Sequence, residues 1–434
     1  MSEIKISKEE LIKRYQAGER ETLVALAGVK NMSSLGRKMR DVYGIKVVKE
    51  PKPAPEPVPE PPTVDETINS DLRFQKANTD SNHYKKLYSQ AIKDLSMQQV
   101  IADTLENLAK TIPPLTVSTP QVALVRHTDR GSETDCLHLG DIHGGEVVSR
   151  EETMGLGHYN MQITSRRLGM LFAKTIEIVE LRRSSLNIPN LTIAEGGDMV
   201  SGNIHEELSR TNADMMMNLT IRIAFMVAQG IAQLSPYFEQ INIECEPGNH
   251  GRLTLKPAHK QRYHNWDYLC YQLQAILCRD LHNVTFHIPK SPFHIFTVEN
   301  TRVLMIHGEG VKSWAGIPYY GIDRARARFR EMLQTIDKQF DCMFIYHFHR
   351  GLMQDIATGF QIINGSVIGT NEFSANAMQA SSRPYQILSH WHSKNGYIGS
   401  APLYLDSADD KSKYELNDAL PDVWADFGDL TNGK

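Results

Sequence analysis

The chain has 434 residues, long enough for one large domain with appendages. A hydrophobic fraction of 41%, a charged fraction of 23% and a formal net charge of −4 exclude any global electrostatic pull toward nucleic acid, so such binding would have to come from local patches. No apolar run follows Met1-Ser2-Glu3, and no uninterrupted apolar stretch is long enough to span a bilayer, so a soluble, cytoplasmic protein without a membrane partner is expected.

In chain order, Ser7-Lys8-Glu9-Glu10 has the form of a capping box, and Leu11, Ile12 and Tyr15 follow at helical spacing until Gly18. A second short helix is predicted over 19–27, with Leu23, Val24, Leu26 and Ala27 inward and Gly28 ending it. A third begins near Ser33 or Ser34 and carries Leu35, Met39 and Val42. Residues 1–50 therefore read as a small all-α module that resembles a helix-turn-helix. They hold eleven Lys or Arg against seven Asp or Glu, and Arg37, Lys38 and Arg40 fall on the helix that would meet DNA. A helical protein-docking module with solvated basic residues has the same pattern.

Residues 51–62 read PKPAPEPVPEPP, a run that favours extended polyproline II and serves as a semi-rigid spacer. With the polar residues up to 80 it forms a linker. Over 81–112 an apolar stripe including Tyr84, Leu87, Ala91, Leu95, Ile101, Leu105 and Ile112 predicts a long helix stopped by Pro113-Pro114. That helix either packs on the domain that follows or joins copies of the chain into a homo-oligomer.

Residues 115–405 form the main domain. Five short polar clusters in it each follow an apolar, strand-like run: Gly140-Asp141-Ile142-His143-Gly144, Gly196-Gly197-Asp198, Pro247-Gly248-Asn249-His250-Gly251, Met305-Ile306-His307-Gly308 and Tyr346-His347-Phe348-His349. In a doubly wound α/β sheet the strands end on one edge, and ligand sites form in the loops beyond it. Asp141 and His143 are two apart, as are His347 and His349, so in an extended segment each pair points to one face. Carboxylates, imidazoles and an amide oxygen together suit Mn, Fe or Zn. The five cysteines (Cys136, Cys245, Cys270, Cys278 and Cys342) form no CxxC pair, are odd in number and read as reduced thiols buried in the core.

This ordered set of five motifs resembles the calcineurin-like metallophosphoesterases, with some likeness to their recombination and repair nucleases, over about residues 133–370. The resemblance implies an α/β sandwich of two β-sheets flanked by helices. It also implies two divalent metal ions, Mn foremost and Fe, Zn or Mg as alternatives. Asp141, His143 and His349 would hold the first, Asn249, His307 and His347 the second, and Asp198 would bridge them. His250 would face the substrate and handle the proton of the leaving group. Three positions depart from the family pattern: Ser201 where many members carry a second Asp, Gly251 where Asp or Glu is common, and Tyr346 where Gly is usual. The activity implied is phosphoester hydrolysis by water activated between the two ions.

Several residues outside the ligand set carry alternatives. His205, on the loop after Asp198, either reaches the substrate or makes a structural hydrogen bond. Arg252 either clamps a phosphate or closes a loop salt bridge. Lys256, His259, Lys260, Arg262, Tyr263 and His264 either follow a nucleic-acid strand or begin a solvated helix. Arg324, Arg326, Arg328 and Arg330 split on a helix into two rows, Arg324 with Arg328 and Arg326 with Arg330. Trp314, Tyr319 and Tyr320 either form a base-stacking lid or pack in the core. His138, His158, His282, His287 and His294 lack motif context and read as structural or surface residues.

Long helices are predicted over 160–183, with Leu168, Leu171, Phe172, Ile176 and Val179 inward, and over 213–233, while residues 406–434 read as a loosely docked acidic tail. The favoured activity is that of a nuclease or phosphodiesterase acting on DNA or nucleotides. The alternatives are a phosphomonoesterase acting on nucleotides or phosphoproteins, and a DNA-binding or assembly protein whose metallophosphoesterase domain is structural.

Overall fold

The computed structural model describes residues 7–16, 23, 32–42, 85, 99, 115, 131–257, 259–312, 319–357 and 359–417. The chain divides into two compact units, Met1–Asp94 and Leu95–Lys434.

In the first unit, helix α1 spans Lys8–Gln16 and is capped as its sequence predicts: the Ser7 hydroxyl accepts from the Glu10 N–H at 3.2 Å. Leu11 and Tyr15 are buried one turn apart. Helix α2, Met32–Asp41, buries Leu35 and Met39 and leaves Arg37 and Arg40 exposed. Val42 is a correction: it lies one residue past the helix and is 62% exposed, because the turn that ends α2 carries it off the apolar face. Leu23 is helical and buried, while the rest of the predicted second helix lies outside the described residues. So do the proline run and, apart from the helical Lys85 and Gln99, the predicted helix over 81–112.

The second unit is built on two sheets. The first contains β1 (Ser132–Leu139), β2 (Asn187–Glu195), β3 (Gln240–Cys245), β4 (Val284–His287), β10 (Tyr385–His392) and β11 (Gly396–Tyr404), in the order β11-β10-β1-β2-β3-β4. The second contains β5 (His294–Val298), β6 (Thr301–Ile306), β7 (Cys342–Ile345), β8 (Leu352–Ile356) and β9 (Gly359–Ile363), in the order β5-β6-β7-β9-β8. Strands β1 to β4 are parallel to one another, as are β6, β7 and β9, and the antiparallel strands lie at the margins.

Alternation along each strand sends side chains to opposite faces. Cys136 and Ala194 face Phe296, Met305, Phe344 and Trp391 in an apolar layer between the sheets. Leu137, Leu139, Leu191 and Ile193 face the helices instead. Those helices are α3 (Met161–Arg183), α5 (Met216–Leu234) and α6 (Trp266–Leu277), and they cover the outer face of the first sheet. Helix α7 (Tyr319–Gln334) covers the second sheet through Ile322 and Leu333. The result is the expected two-sheet sandwich flanked by helices. The five motif-bearing strands do not share one sheet: β1, β2 and β3 belong to the first, β6 and β7 to the second.

Helix α3 starts where Asn160 caps it, its side chain accepting from the Ile163 N–H at 2.9 Å, and it buries Leu168, Leu171, Phe172 and Val179, with Ile176 half-buried. The next helix differs from expectation. A short helix α4, Glu206–Thr211, precedes it, and α5 begins only at Met216.

The expected loose tail also needs correction over its first part. Asp409 pairs with Arg167 at 2.8 Å, Glu415 with Arg166 and Asp406 with Arg383, while Ala408 and Leu416 are buried against α3 and its neighbours. The acidic composition that looks like a solvated tail is spent on arginines. Residues beyond 417 lie outside the described residues. All five cysteines are free thiols and all are buried. Among the described residues, no helix is long and apolar enough to cross a membrane.

A candidate dinuclear metal centre

The loops that follow β1, β2, β3, β6 and β7 are stitched together by their backbones. Asp141 N–H donates to Gly197 O and His143 N–H to Asp198 O, both at 2.9 Å, which zips the first motif to the second. Tyr346 N–H donates to His307 O at 2.8 Å within the second sheet. His347 N–H reaches across to the Asp141 carboxylate at 3.0 Å, joining the loops of the two sheets.

Tyr346, one of the departures from the family pattern, is fully buried and donates its hydroxyl to Ala194 O at 2.8 Å. Its ring fills the place where a Cβ on Gly196 would sit, 2.1 Å away, so the glycine of the second motif makes room for the tyrosine of the fifth.

Five of the expected ligands hold left-handed backbone: Asp141 (φ 48°), His143 (52°), Asp198 (51°), His347 (77°) and His349 (57°). For residues other than glycine this conformation costs about 1–2 kcal/mol each. Five of the ten non-glycine residues that hold this conformation among the described residues thus fall in one small set of polar side chains, as strain held for a site does.

The side chains converge in groups. Asp141, His143 and His349 form one, and Asp198, His307 and His347 another; His143, Asp198 and His250 form a third that overlaps the first two. His143 Nε2 lies 3.1 Å from His349 Nε2, and His349 Nε2 lies 3.5 Å from Asp141 Oδ1. On the other side, His307 Nε2 lies 3.1 Å from Asn249 Oδ1 and 3.0 Å from Asp198 Oδ2. Two donors each about 2.1 Å from one cation stand about 3.0 Å apart at a right angle and about 3.4 Å apart at a tetrahedral angle. The observed spacings fit shared cations. Asp198 Oδ2 is also 3.9 Å from His143 Nε2, so one carboxylate reaches both groups.

The electrostatics agree with an anionic site. Burial would raise Asp141 and Asp198, but the surrounding imidazoles hold both below the usual carboxylate range. Burial would lower His143 and His307, yet Glu146, Asp198 and Asp141 push His143 up to about 9, and Asp198 and Asp141 push His307 up to about 10. These imidazoles hold protons where a cation could take their place. Among the described residues no Lys or Arg pairs with Asp141 or Asp198.

Groups behind the ligands aim them. His307 Nδ1 donates to Gly196 O at 2.7 Å, leaving Nε2 for the site. His143 Nδ1 lies 3.4 Å from Glu146, itself held by Asn371 at 2.7 Å. The Asp267 carboxylate accepts from the backbone N–H groups of Asp198, Met199 and Gly248 at 2.9–3.0 Å and so fixes two ligand loops at once. A Cβ at Gly251 would lie 2.9 Å from the Asp267 carboxyl carbon and 2.1 Å from Asn265 Oδ1, which accounts for the glycine that departs from the family pattern. Neither Glu146 nor Asp267 stands in a motif. The only sequence signal at Asp267 is a helix start, with Asn265 as N-cap.

His250 donates its backbone N–H to Asp198 Oδ1 and its Nδ1–H to Ser201 O, both at 2.7 Å, so Nε2 is its free nitrogen. Burial lowers it to about 4, against the pull of Asp198. His205 is exposed and its ring centroid is 5.7 Å from that of His250. Arg252 is not brought into the groups. Its guanidinium donates to Thr254 O and Leu255 O in its own loop, at 3.0 and 3.2 Å.

In the basic stretch that follows, Lys256, His259 and Lys260 are exposed, whereas Arg262 turns inward to Glu309 and Glu246. On α7 the two arginine rows differ: Arg326 pairs with Asp323 and Arg330 lies over the Phe340 ring, while Arg324 and Arg328 are exposed. Tyr319 and Tyr320 are exposed at its start, and Trp314 lies outside the described residues.

No family model matches the chain. It is 21% identical over 286 residues to an uncharacterized SPbeta prophage-derived protein, YonJ, of Bacillus subtilis strain 168, an alignment that takes in 63% of this chain. The chain spans 65% of the length of that relative. Among solved structures it is similar to a hypothetical protein of Pyrococcus horikoshii, at 12% identity and a TM-score of 0.33 over 65% of this chain and 93% of that one. It is also similar to an archaeal phosphodiesterase, at 10% identity and a TM-score of 0.27 over 62% and 99% of the two chains. A zinc complex of Vps29 from Entamoeba histolytica aligns at 9% identity and a TM-score of 0.25, over 62% and 99%. At these scores the neighbours add nothing to what the site's own geometry says.

Proposed function

We propose that this chain is a phosphoesterase of the calcineurin-like type, dependent on two divalent cations, and that its substrate is a phosphodiester in DNA or a nucleotide. The observation that carries the reading is Asp198, a buried carboxylate within reach of imidazoles from both ligand groups and not paired with a Lys or Arg among the described residues. When bound, such a cation pair lowers the pKa of water and offsets charge on the phosphoryl oxygens. Carboxylate, imidazole and amide donors suit Mn, Fe or Zn.

The protein's own part is positioning and proton transfer. Asp267, Glu146 and the Gly196 carbonyl hold the donors in place. His250, neutral when alone, presents Nε2 at the edge of the groups. A phosphate anion beside it favours the protonated form, from which Nε2–H can be given to the departing oxygen. His205, its ring tilted against that of His250 and open to solvent, is suited to contact the same substrate.

The preference for nucleic acid rests on exposed basic side chains: Lys256 and Lys260 in the loop after Asn249, Arg324 and Arg328 on α7, and Arg37 and Arg40 on α2. The test is to incubate the purified protein and Mn²⁺ in parallel with bis-p-nitrophenyl phosphate, p-nitrophenyl phosphate, single-stranded DNA and duplex DNA. Cleavage of the diester and of DNA is expected. Cleavage of the monoester alone would replace the reading with a phosphomonoesterase, and no cleavage of any would overturn it. Deleting residues 1–62 should leave turnover of the chromogenic diester unchanged while weakening DNA binding and flattening its salt dependence. Equal DNA affinity with and without them would move the module to protein docking.

A further inference from the structure

Arg262 lies outside every motif, yet it joins the two loops that carry the ligands of the second group. Its Nη1 is 2.5 Å from Glu309, two residues past His307. Its Nη2 donates to Pro247 O at 3.0 Å, two residues before Asn249, and lies 3.5 Å from Glu246. One loop follows β3 of the first sheet and the other follows β6 of the second, so a single guanidinium spans the seam between the sheets. Asn249 and His307, the two residues so tethered, have donor atoms 3.1 Å apart.

We infer that Arg262 is a positioning residue for the second cation, setting the separation of Asn249 Oδ1 and His307 Nε2 through its fork to Glu309 and the Pro247 carbonyl. The inference rests on the proposed reading that Asn249, His307 and His347 hold a cation. The geometry gives a reason for an arginine rather than a lysine. A planar fork can serve a carboxylate and a carbonyl in fixed directions at once, whereas an ammonium is a point charge on a flexible stem. Glu309 also offsets the charge of Arg262, so that a cation nearby meets a neutral pair.

The first group, Asp141, His143 and His349, has no such tether to Arg262: its supports are Glu146 and the backbone of the first two motifs. Loss of Arg262 should therefore divide the two cations. Supports behind metal ligands typically carry about 10- to 100-fold in affinity.

The test is calorimetric titration of the full chain with Mn²⁺, comparing the wild type with R262Q, R262K and E309Q. Two binding steps are expected in the wild type; fewer would sink the reading on which the inference rests, independently of Arg262. In R262Q one of the two steps should lose about 10- to 100-fold while the other stays close to wild type. R262K should recover part of the loss. E309Q should move the same step in the same direction, and it carries the test if R262Q does not fold, because Glu309 is partly exposed. Unchanged binding, tighter binding, or equal weakening of both steps in R262Q and E309Q would overturn the assignment.

Discussion

Strand β1 and the loop that leaves it carry two buried aspartates, Asp135 and Asp141, and they are neutralised in different ways. Asp135 sits among fixed partners: Arg182 bridges it to Glu133, and His390 Nδ1 lies 2.9 Å away. Asp141 has imidazoles and backbone N–H groups but, among the described residues, no Lys or Arg. The backbone differs as well, because Asp135 lies in a regular strand whereas Asp141 is held at φ 48°. A buried charge needs a partner. Where the protein supplies a fixed arginine the cluster is structural, and where it supplies imidazoles whose protons a cation could replace, the partner is expected from solution.

The largest effects should separate the aspartates of the candidate site from Asp135. Asp198→Ala, which removes the carboxylate shared by both ligand groups, should abolish turnover and strip bound metal, whereas Asp135→Asn should keep both. Elemental analysis alongside diester hydrolysis checks this, and an Asp198→Ala protein that still held two metals per chain would break the comparison.

Next in size is His250→Asn. A positioned acid or base contributes about a hundred- to ten-thousand-fold, so kcat should fall by that factor with both metals retained. The loss should shrink for p-nitrophenyl esters, whose leaving group needs no proton. Equal slowing of all substrates, or loss of metal, would make His250 a ligand or a structural group.

On the structural side, Arg182→Met should cost on the order of 3 kcal/mol, since it leaves Glu133 and Asp135 buried without their cation. Thermal unfolding should show the drop, and calorimetry should show metal affinity unchanged. A fall in metal affinity would mean that the two ends of β1 are not independent.

A subtler check uses Glu195, three residues before Asp198. Neither of its buried carboxylate oxygens has a partner at hydrogen-bond distance among the described residues, and burial, opposed by the nearby Gln274 amide and aided by Asp267, pushes it up to about 8. Its folded pKa lies above its unfolded value, so its contribution is fully present below the unfolded pKa, near 4.5, and is lost as pH rises to about 8. The metal-free protein should therefore lose stability across that window, and Glu195→Gln should flatten the slope. A slope unchanged in Glu195→Gln would place the titration elsewhere.

Much of this site is legible in the sequence because its ligands follow strands directly. An apolar run such as Val303 to Ile306 announces β6, and the polar residue that ends it falls at the sheet edge. What is not legible depends on residues distant in sequence. Asp267 and Arg262 act by crossing from one loop to another, and no local pattern records that. Strand β10 carries Gln386, Ser389, His390 and His392 among its apolar residues, which blurs its alternation. The acidic residues after 405 look solvated until Arg166 and Arg167 are seen beside them. Arg252 misleads in the opposite sense: its proximity in sequence to Asn249 points to the site, while its guanidinium closes its own loop.

The central claim is that two divalent cations flank Asp198. Crystals of the full chain soaked in Mn²⁺ and measured at the manganese absorption edge test it directly. The account predicts two anomalous peaks, one among Asp141, His143 and His349 and one among Asn249, His307 and His347, with the Asp198 carboxylate between them. One peak, no peak, or a peak at Glu133 and Asp135 would contradict it.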